Sequence, residues 1–164
     1  QSSTNQTRSM EIRRATLTDI GQIQLLYYHT IQAVNSRQYT QQQIEIWVSG
    51  CFNPEMWRHK IMGQHFFVAE NAAMLTGFAS ITPNGYLDYL FVHKNHQQKG
   101  VASALLKELL QTAQNLQLAK IWAEVSITAR PFFLHKGFEL TRTFVTMVNN
   151  VAFNDAVMTL YLHQ

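Results

Sequence analysis

The chain has 164 residues, 46% hydrophobic, 12% aromatic and only 14% charged, with a formal net charge of +3. That is enough apolar material for one well-packed core and short for two. The charge is too mild and dispersed for a nucleic-acid face, no run reaches the roughly 20 apolar residues of a membrane span, and the single Cys51 excludes an internal disulfide framework, so a cytoplasmic protein is expected.

Residues 1–9 (QSSTNQTRS) are polar and are expected to form a loosely held tail, with Met10 near the natural start and one domain over residues 10–164. Met10 to Ala15 alternates apolar and charged side chains, the pattern of an edge strand. Thr18-Asp19 offers a helix cap, and Ile20, Ile23, Leu26 and Tyr27 share one face of the helix that follows. A second helix is expected from Thr40, with Ile44, Trp47 and Val48 as its apolar side and Gly50 as its stop. Cys51 to Gln64 contains Asn53-Pro54 and reads as a loop with at most one short helical turn.

From His65 the period shifts to that of strands. HFFVAE and MLTGFASI are parted by a turn at Asn71-Ala72, and Pro83-Asn84-Gly85 marks a second tight turn. Tyr86–Val92 is the next strand. The helix opening at Gly100 places Ala102, Leu105, Leu106, Leu109, Leu110, Ala113 and Leu116 on one face. Lys120 to Ser126 is a strand reached by a right-handed crossover, parallel to Tyr86–Val92. Ala129 to Lys136 is a short helix stopped by Gly137, and Phe138–Val148 and Val151–Leu162 are strands joined at Asn149-Asn150.

Chemistry concentrates where the central strand meets the long helix. The first N–H groups of a helix have no intrahelical partner and lie at the positive end of its dipole. Gly100 and the small Ala102 leave room for phosphate oxygens to reach those amides. Gln97-Gln98-Lys99-Gly100-Val101-Ala102 fits Q/R-x-x-G-x-G/A, and so resembles the pyrophosphate loop of the GNAT (GCN5-related) N-acetyltransferase superfamily. Ala129 to Phe138 (ARPFFLHKGF) resembles that family's later motif, A-x-x-x-Y-x-x-x-G-F, and Tyr39-Thr40 with Gln43 and Trp47 resembles Y-[ST]-x-x-Q-x-x-x-W of a bacterial subgroup.

The resemblance covers Met10 to Leu162. It implies an α/β (α+β) fold, with a mixed central sheet of about seven strands flanked by about four helices. The implied activity is transfer of acetyl from acetyl-CoA to a primary amine by direct attack in a ternary complex, with no metal. The acceptor is a small-molecule amine or a protein amine; no nucleic acid or membrane partner is expected, and a homodimer is compatible with the family. Two alternatives stay open: a non-catalytic acyl-CoA-binding or regulatory domain, and a toxin-like acetyltransferase acting on aminoacyl-tRNA.

By the same resemblance, the backbone of Leu90, Phe91 and Val92 would bind the pantetheine arm, and Gln97, Gln98, Lys99, Gly100, Val101, Ala102 and Ser103 would surround the pyrophosphate. Ser126 stands where many members carry asparagine. Phe133, expected at a half-open site facing the sulfur, replaces a tyrosine that protonates the departing thiolate, which a phenyl ring cannot do.

Transfer also needs a neutral amine, hence a proton acceptor. Asp88 is the first candidate, a carboxylate inside an apolar strand, which needs either a purpose or a partner. Glu124, embedded in IWAEVS, is the second, and Tyr86 shares a strand face with Asp88. Tyr28, Trp47 and Trp57 are candidate walls of the acceptor pocket, although each ring taken singly reads first as core packing. With 10 acids in the chain, no strongly anionic pocket is expected. His93 and His96 flank the loop as solvated or phosphate-adjacent groups, and no His/Cys/Asp cluster has metal-ligand spacing.

Overall fold

The computed structural model describes residues 10–33, 39–97 and 99–163; the expected tail, residues 1–9, lies outside them. Strands β1 (Glu11–Arg14), β2 (His65–Asn71), β3 (Met74–Ile81) and β4 (Leu87–Val92) form an antiparallel sheet in that order. β5 (Lys120–Val125), β6 (Glu139–Val148) and β7 (Val151–Tyr161) form a second antiparallel sheet, ordered β5-β7-β6. The expected seven-stranded mixed sheet is therefore split in two. The sheets meet at one parallel bridge, Tyr86 to Trp122, where the Trp122 N–H donates to the Gly85 carbonyl at 3.1 Å.

Two local features explain the split. Gly85 has φ +109, and a Cβ there would stand 2.7 Å from the Lys120 carbonyl oxygen, so only glycine lets the strands touch at that end. Beyond it, Ser80 pairs with Tyr89 and Ile81 with Leu87, leaving Asp88 as the extra residue of a β-bulge. Bulges bend a strand and raise its twist, and here β4 leaves β5.

Among the described residues, five helices cover the sheets: α1 (Ile20–Gln32), α2 (Gln41–Val48), α3 (Pro54–Gly63), α4 (Val101–Asn115) and α5 (Arg130–His135). α4 buries Leu105, Leu106, Leu109 and Ala113 in a core shared by both sheets. The other face of the first sheet packs Phe66, Val68 and Phe78 against Ile23, Leu26 and Trp57 from α1 and α3. Leu116 falls outside the expected stripe: it follows the last helical residue and is 42% exposed.

Helix α3 corrects the expected loop over Cys51 to Gln64. The Asn53 side chain accepts from the Glu55 N–H at 3.1 Å, and Pro54 sits in the first turn, where its missing N–H costs nothing. Asn-Pro is thus a helix start rather than a loop. Asp19 stands at the N-cap of α1, as expected, but its side chain turns back rather than capping the helix: the carboxylate accepts from the Thr16 N–H at 2.7 Å and from Arg13 at 2.9 Å. Among the described residues, no helix is long and apolar enough to cross a membrane.

Candidate active site

Where β4 and β5 part, a cleft of about 580 Å³ opens, walled by both strands and roofed by α1 and α2. β4 ends its sheet, so beyond the Tyr86 bridge its outer edge has no strand partner among the described residues. Leu90 and Phe91 line the cleft; Val92 is partly buried just after them. The unpaired N–H and C=O groups of this edge are ready for an extended ligand.

The edge leads to the mouth of α4. Gly100 is left-handed at φ +79, and nothing lies within 4 Å of where its Cβ would stand. Val101 turns its side chain into the core at 6% exposure, while Ala102 and Ser103 are partly exposed at the first turn. Gln97 is exposed and lines the cleft, and Lys99 is exposed beside it; Gln98 lies outside the described residues. Lys94 also lines the cleft, a cation that loop spacing alone passed over. The His93 Nδ1 accepts from the Asn95 N–H at 3.1 Å; burial, then His96 and Lys94, push its pKa down. Among the described residues, no group of three or more His, Cys, Asp or Glu side chains could hold a metal ion.

Phe133 lies on the cleft lining but is only 5% exposed, with its ring edge-on to Phe138 at 4.9 Å. The expected half-open position is corrected: Phe133 belongs to the α4 core and shows the cleft one surface. Ser126 lines the cleft beside the turn that leads into α5.

The acceptor walls sort unevenly. Trp47 lines the cleft between Tyr39 at 4.6 Å and Phe153 at 5.6 Å. Trp57 is wholly buried, its indole N–H donating to the Cys51 carbonyl at 2.6 Å, so it is a core ring and not a cleft wall. Tyr28 packs on Phe52 and His29, off the cleft lining. The Tyr39–Trp47 motif acquires a structural account. Thr40 and Gln43 cap each other's N–H groups, Gln43 reaches the Ala152 carbonyl, and the Tyr39 hydroxyl accepts from the Thr128 N–H at 3.2 Å. These residues clamp α2 over β7.

Three of the chain's 10 acids line this cleft together with Lys94, and one of the three, Asp88, is paired with Lys60. Asp88, aimed by the bulge, accepts on one oxygen from Lys60 Nζ and Gln64 Nε2, each at 2.8 Å; both donors come from α3 and its end. Glu124 is exposed on β5. Asp155, on β7, is partly buried, and sequence reading missed it. The available signal was the one that flagged Asp88, an acid inside a strand, here VAFNDAVMTL. Burial, and then Glu124, push the Asp155 carboxyl up, with Arg130 opposing. Tyr86 stands among all three acids; burial, then Glu124, Asp88 and Asp155, push its phenol up to about 12.

Comparison with known proteins agrees with this geometry. A sequence model of the acetyltransferase (GNAT) domain matches residues 35–160. The chain is 31% identical over 134 residues to the uncharacterized N-acetyltransferase YafP of Escherichia coli K12, covering 82% of this chain and 84% of that protein. Its fold is similar to that of a GCN5-related N-acetyltransferase from Rhodopseudomonas palustris, with TM-score 0.88 and 21% identity over 94% of this chain and 96% of that one. The PaiA N-acetyltransferase of Thermoplasma acidophilum, solved with coenzyme A, superposes with TM-score 0.79 and 17% identity over 94% and 99% of the two chains.

Proposed function

The chain belongs to the GNAT acetyltransferase family, and from that premise we propose that it transfers the acetyl group of acetyl-CoA to a primary amine by direct attack in a ternary complex. The observation that carries the reading is the free edge of β4, running through the cleft and ending at the open, left-handed Gly100. Solved relatives of the fold were obtained with coenzyme A and with acetyl-CoA.

The residues present fit this donor. The backbone of Leu90 to Val92 would pair with the pantetheine arm, and an N–H there would stabilise the oxyanion formed on attack. The amides from Gly100 to Ser103, with Gln97, Gln98, Lys99 and Lys94, would hold the pyrophosphate. Acetyl-CoA, when bound, supplies an activated carbonyl and a thiolate leaving group. Phe133 and Ser126 would lie against the arm. Because Phe133 has no proton to give and a thiol's reference pKa is about 8.5, the thiolate leaves as such or takes its proton from the attacking nitrogen.

The amine must shed a proton before it attacks. Asp88 is already engaged by Lys60 and Gln64, so of the two acids singled out by sequence Glu124 is the freer base, and Asp88 holds α3 in place. Trp47 and Tyr39 wall the acceptor side.

The test is an amine panel with acetyl-CoA, following free thiol release, on wild type and Gly100→Trp. Wild type is expected to release thiol only with an amine present, and Gly100→Trp to lose coenzyme A affinity by calorimetry while staying folded. Unchanged affinity in Gly100→Trp removes the loop from the account.

A further inference from the structure

We propose that Asp155 is the group that takes the proton from an acceptor entering as a primary ammonium ion, with Glu124 beside it balancing the ammonium charge. This rests on the transfer reading above and adds to it a catalytic residue.

The argument is positional. Along β7, Phe153, Asp155 and Val157 alternate onto the face opposite the α4 core, which takes Ala156 and Met158. Glu124 pairs with Val157 across β5 and β7, so Glu124 and Asp155 are diagonal neighbours on one face. That face closes the far side of the cleft from β4, opposite Leu90 and Phe91. An amine between the two walls meets the β4 edge on one side and two carboxylates on the other.

The surrounding charges leave Asp155 available. Among the described residues, no hydrogen bond or ion pair engages its carboxylate, whereas Asp88 has two donors. On α5, Arg130 is within electrostatic reach of Asp155 but forms no ion pair with it. On β6, Phe144 stands opposite Asp155, and Arg142 is stacked on that ring at 5.2 Å. Just before β4, Tyr86 faces the same group of acids with a phenol that stays protonated at neutral pH. Asp155 is partly buried and has the Glu124 carboxylate as a neighbour, and both disfavour its ionised form, so it accepts a proton more readily than an isolated aspartate would. The upward push on the Asp155 carboxyl agrees with this.

The step balances simply. The ammonium gives one proton to the Asp155 carboxylate, and its nitrogen lone pair forms the C–N bond to the acetyl carbonyl. The C–S bond breaks with its electron pair on sulfur, and the second nitrogen proton passes to the thiolate or to water. Asp155 then returns its proton to solvent.

The experiment compares wild type, Asp155→Asn, Asp155→Glu and Glu124→Gln, with phenethylamine and 1,4-diaminobutane as acceptor probes. Coenzyme A affinity by calorimetry is expected to match wild type in every variant. Asp155→Asn is expected to lower kcat/KM by about 100-fold or more and to remove the acid limb of its pH profile, while Asp155→Glu restores part of the rate. In the protein alone, the ¹³C carboxyl resonance of Asp155 is expected to titrate above the ordinary aspartate range and to move down in Glu124→Gln. Wild-type turnover with an unchanged rate and acid limb in Asp155→Asn overturns the inference alone, as does an ordinary titration of Asp155. No thiol release from wild type with either amine overturns the transfer reading and this inference together.

Discussion

Acids in this chain stabilise or destabilise the fold according to their partners, and pH separates the cases. Arg13 bridges Asp19 at 2.9 Å and Glu70 at 2.7 Å. The Arg13 hydrogen bonds hold the Asp19 carboxyl below its ordinary value, against the opposing cost of burial. A depressed carboxyl stabilises the fold above its ordinary pKa, and the gain is lost as pH falls through the lowered value. Asp19→Asn is therefore expected to cost about 2 kcal/mol near pH 7 in denaturant titrations, the gap to wild type closing in acid. Asp155 has the opposite sign. A raised carboxyl favours the fold only below its ordinary pKa, and that contribution is gone once pH passes the raised value. Asp155→Asn should raise Tm at pH 7, as expected where an acid is kept for chemistry rather than packing. For Asp88→Asn, loss of the Lys60 pair is expected to cost about 1 kcal/mol without changing coenzyme A affinity. Residue types announced which positions matter but not which way they face. Asp88 and Trp47 reached the cleft; Trp57 was drawn inward because α1 and α3 cover that face of the sheet, giving every ring there a core to join.

Among elements, those defined by period or turn chemistry were legible. The α4 stripe, the hairpin at Asn149-Asn150 and the Gly100 opening all carry local signals, and both asparagines adopt the positive φ that such a turn requires. Helix α3 was hidden because Asn-Pro starts loops and helices alike, and capping by Asn53 decides it. The turn joining β2 to β3 places Ala72 at φ 51 and Ala73 at φ 65, a conformation alanine adopts at a cost. Ala73→Gly is expected to stabilise the protein by about 0.5–1 kcal/mol, read as a shift in denaturation midpoint. Gly77 has the opposite constraint. A Cβ there would stand 2.8 Å from the Phe91 carbonyl oxygen and 3.0 Å from Leu105 and Val101, so it lets α4 lie close to β3. Gly77→Ala should push the N-terminal turn of α4 off the sheet, costing about 1–3 kcal/mol and weakening coenzyme A binding in the same variant.

At the scale of the molecule, function follows from two sheets that touch at Tyr86 and Trp122 and then part. The proposed donor side could be read from motifs, since the Gln97–Ala102 segment is local in sequence and opens α4 at Gly100. The acceptor side was legible only in part: Glu124 and Trp47 stood out in sequence, but Asp155 did not, and these residues come from distant segments that meet only through β5–β7 pairing and the α2 clamp. The central claim is that this parting holds acetyl-CoA, with its pyrophosphate at Gly100 and its thioester between β4 and the acids of β5 and β7. A crystal structure of the protein with coenzyme A tests it most directly. The account predicts the pantetheine arm paired along Leu90 to Val92, the pyrophosphate on the amides from Gly100 to Ser103, and the sulfur against Phe133. Coenzyme A bound outside the cleft, or a sulfur remote from Phe133 and from the Glu124–Asp155 face, would contradict it.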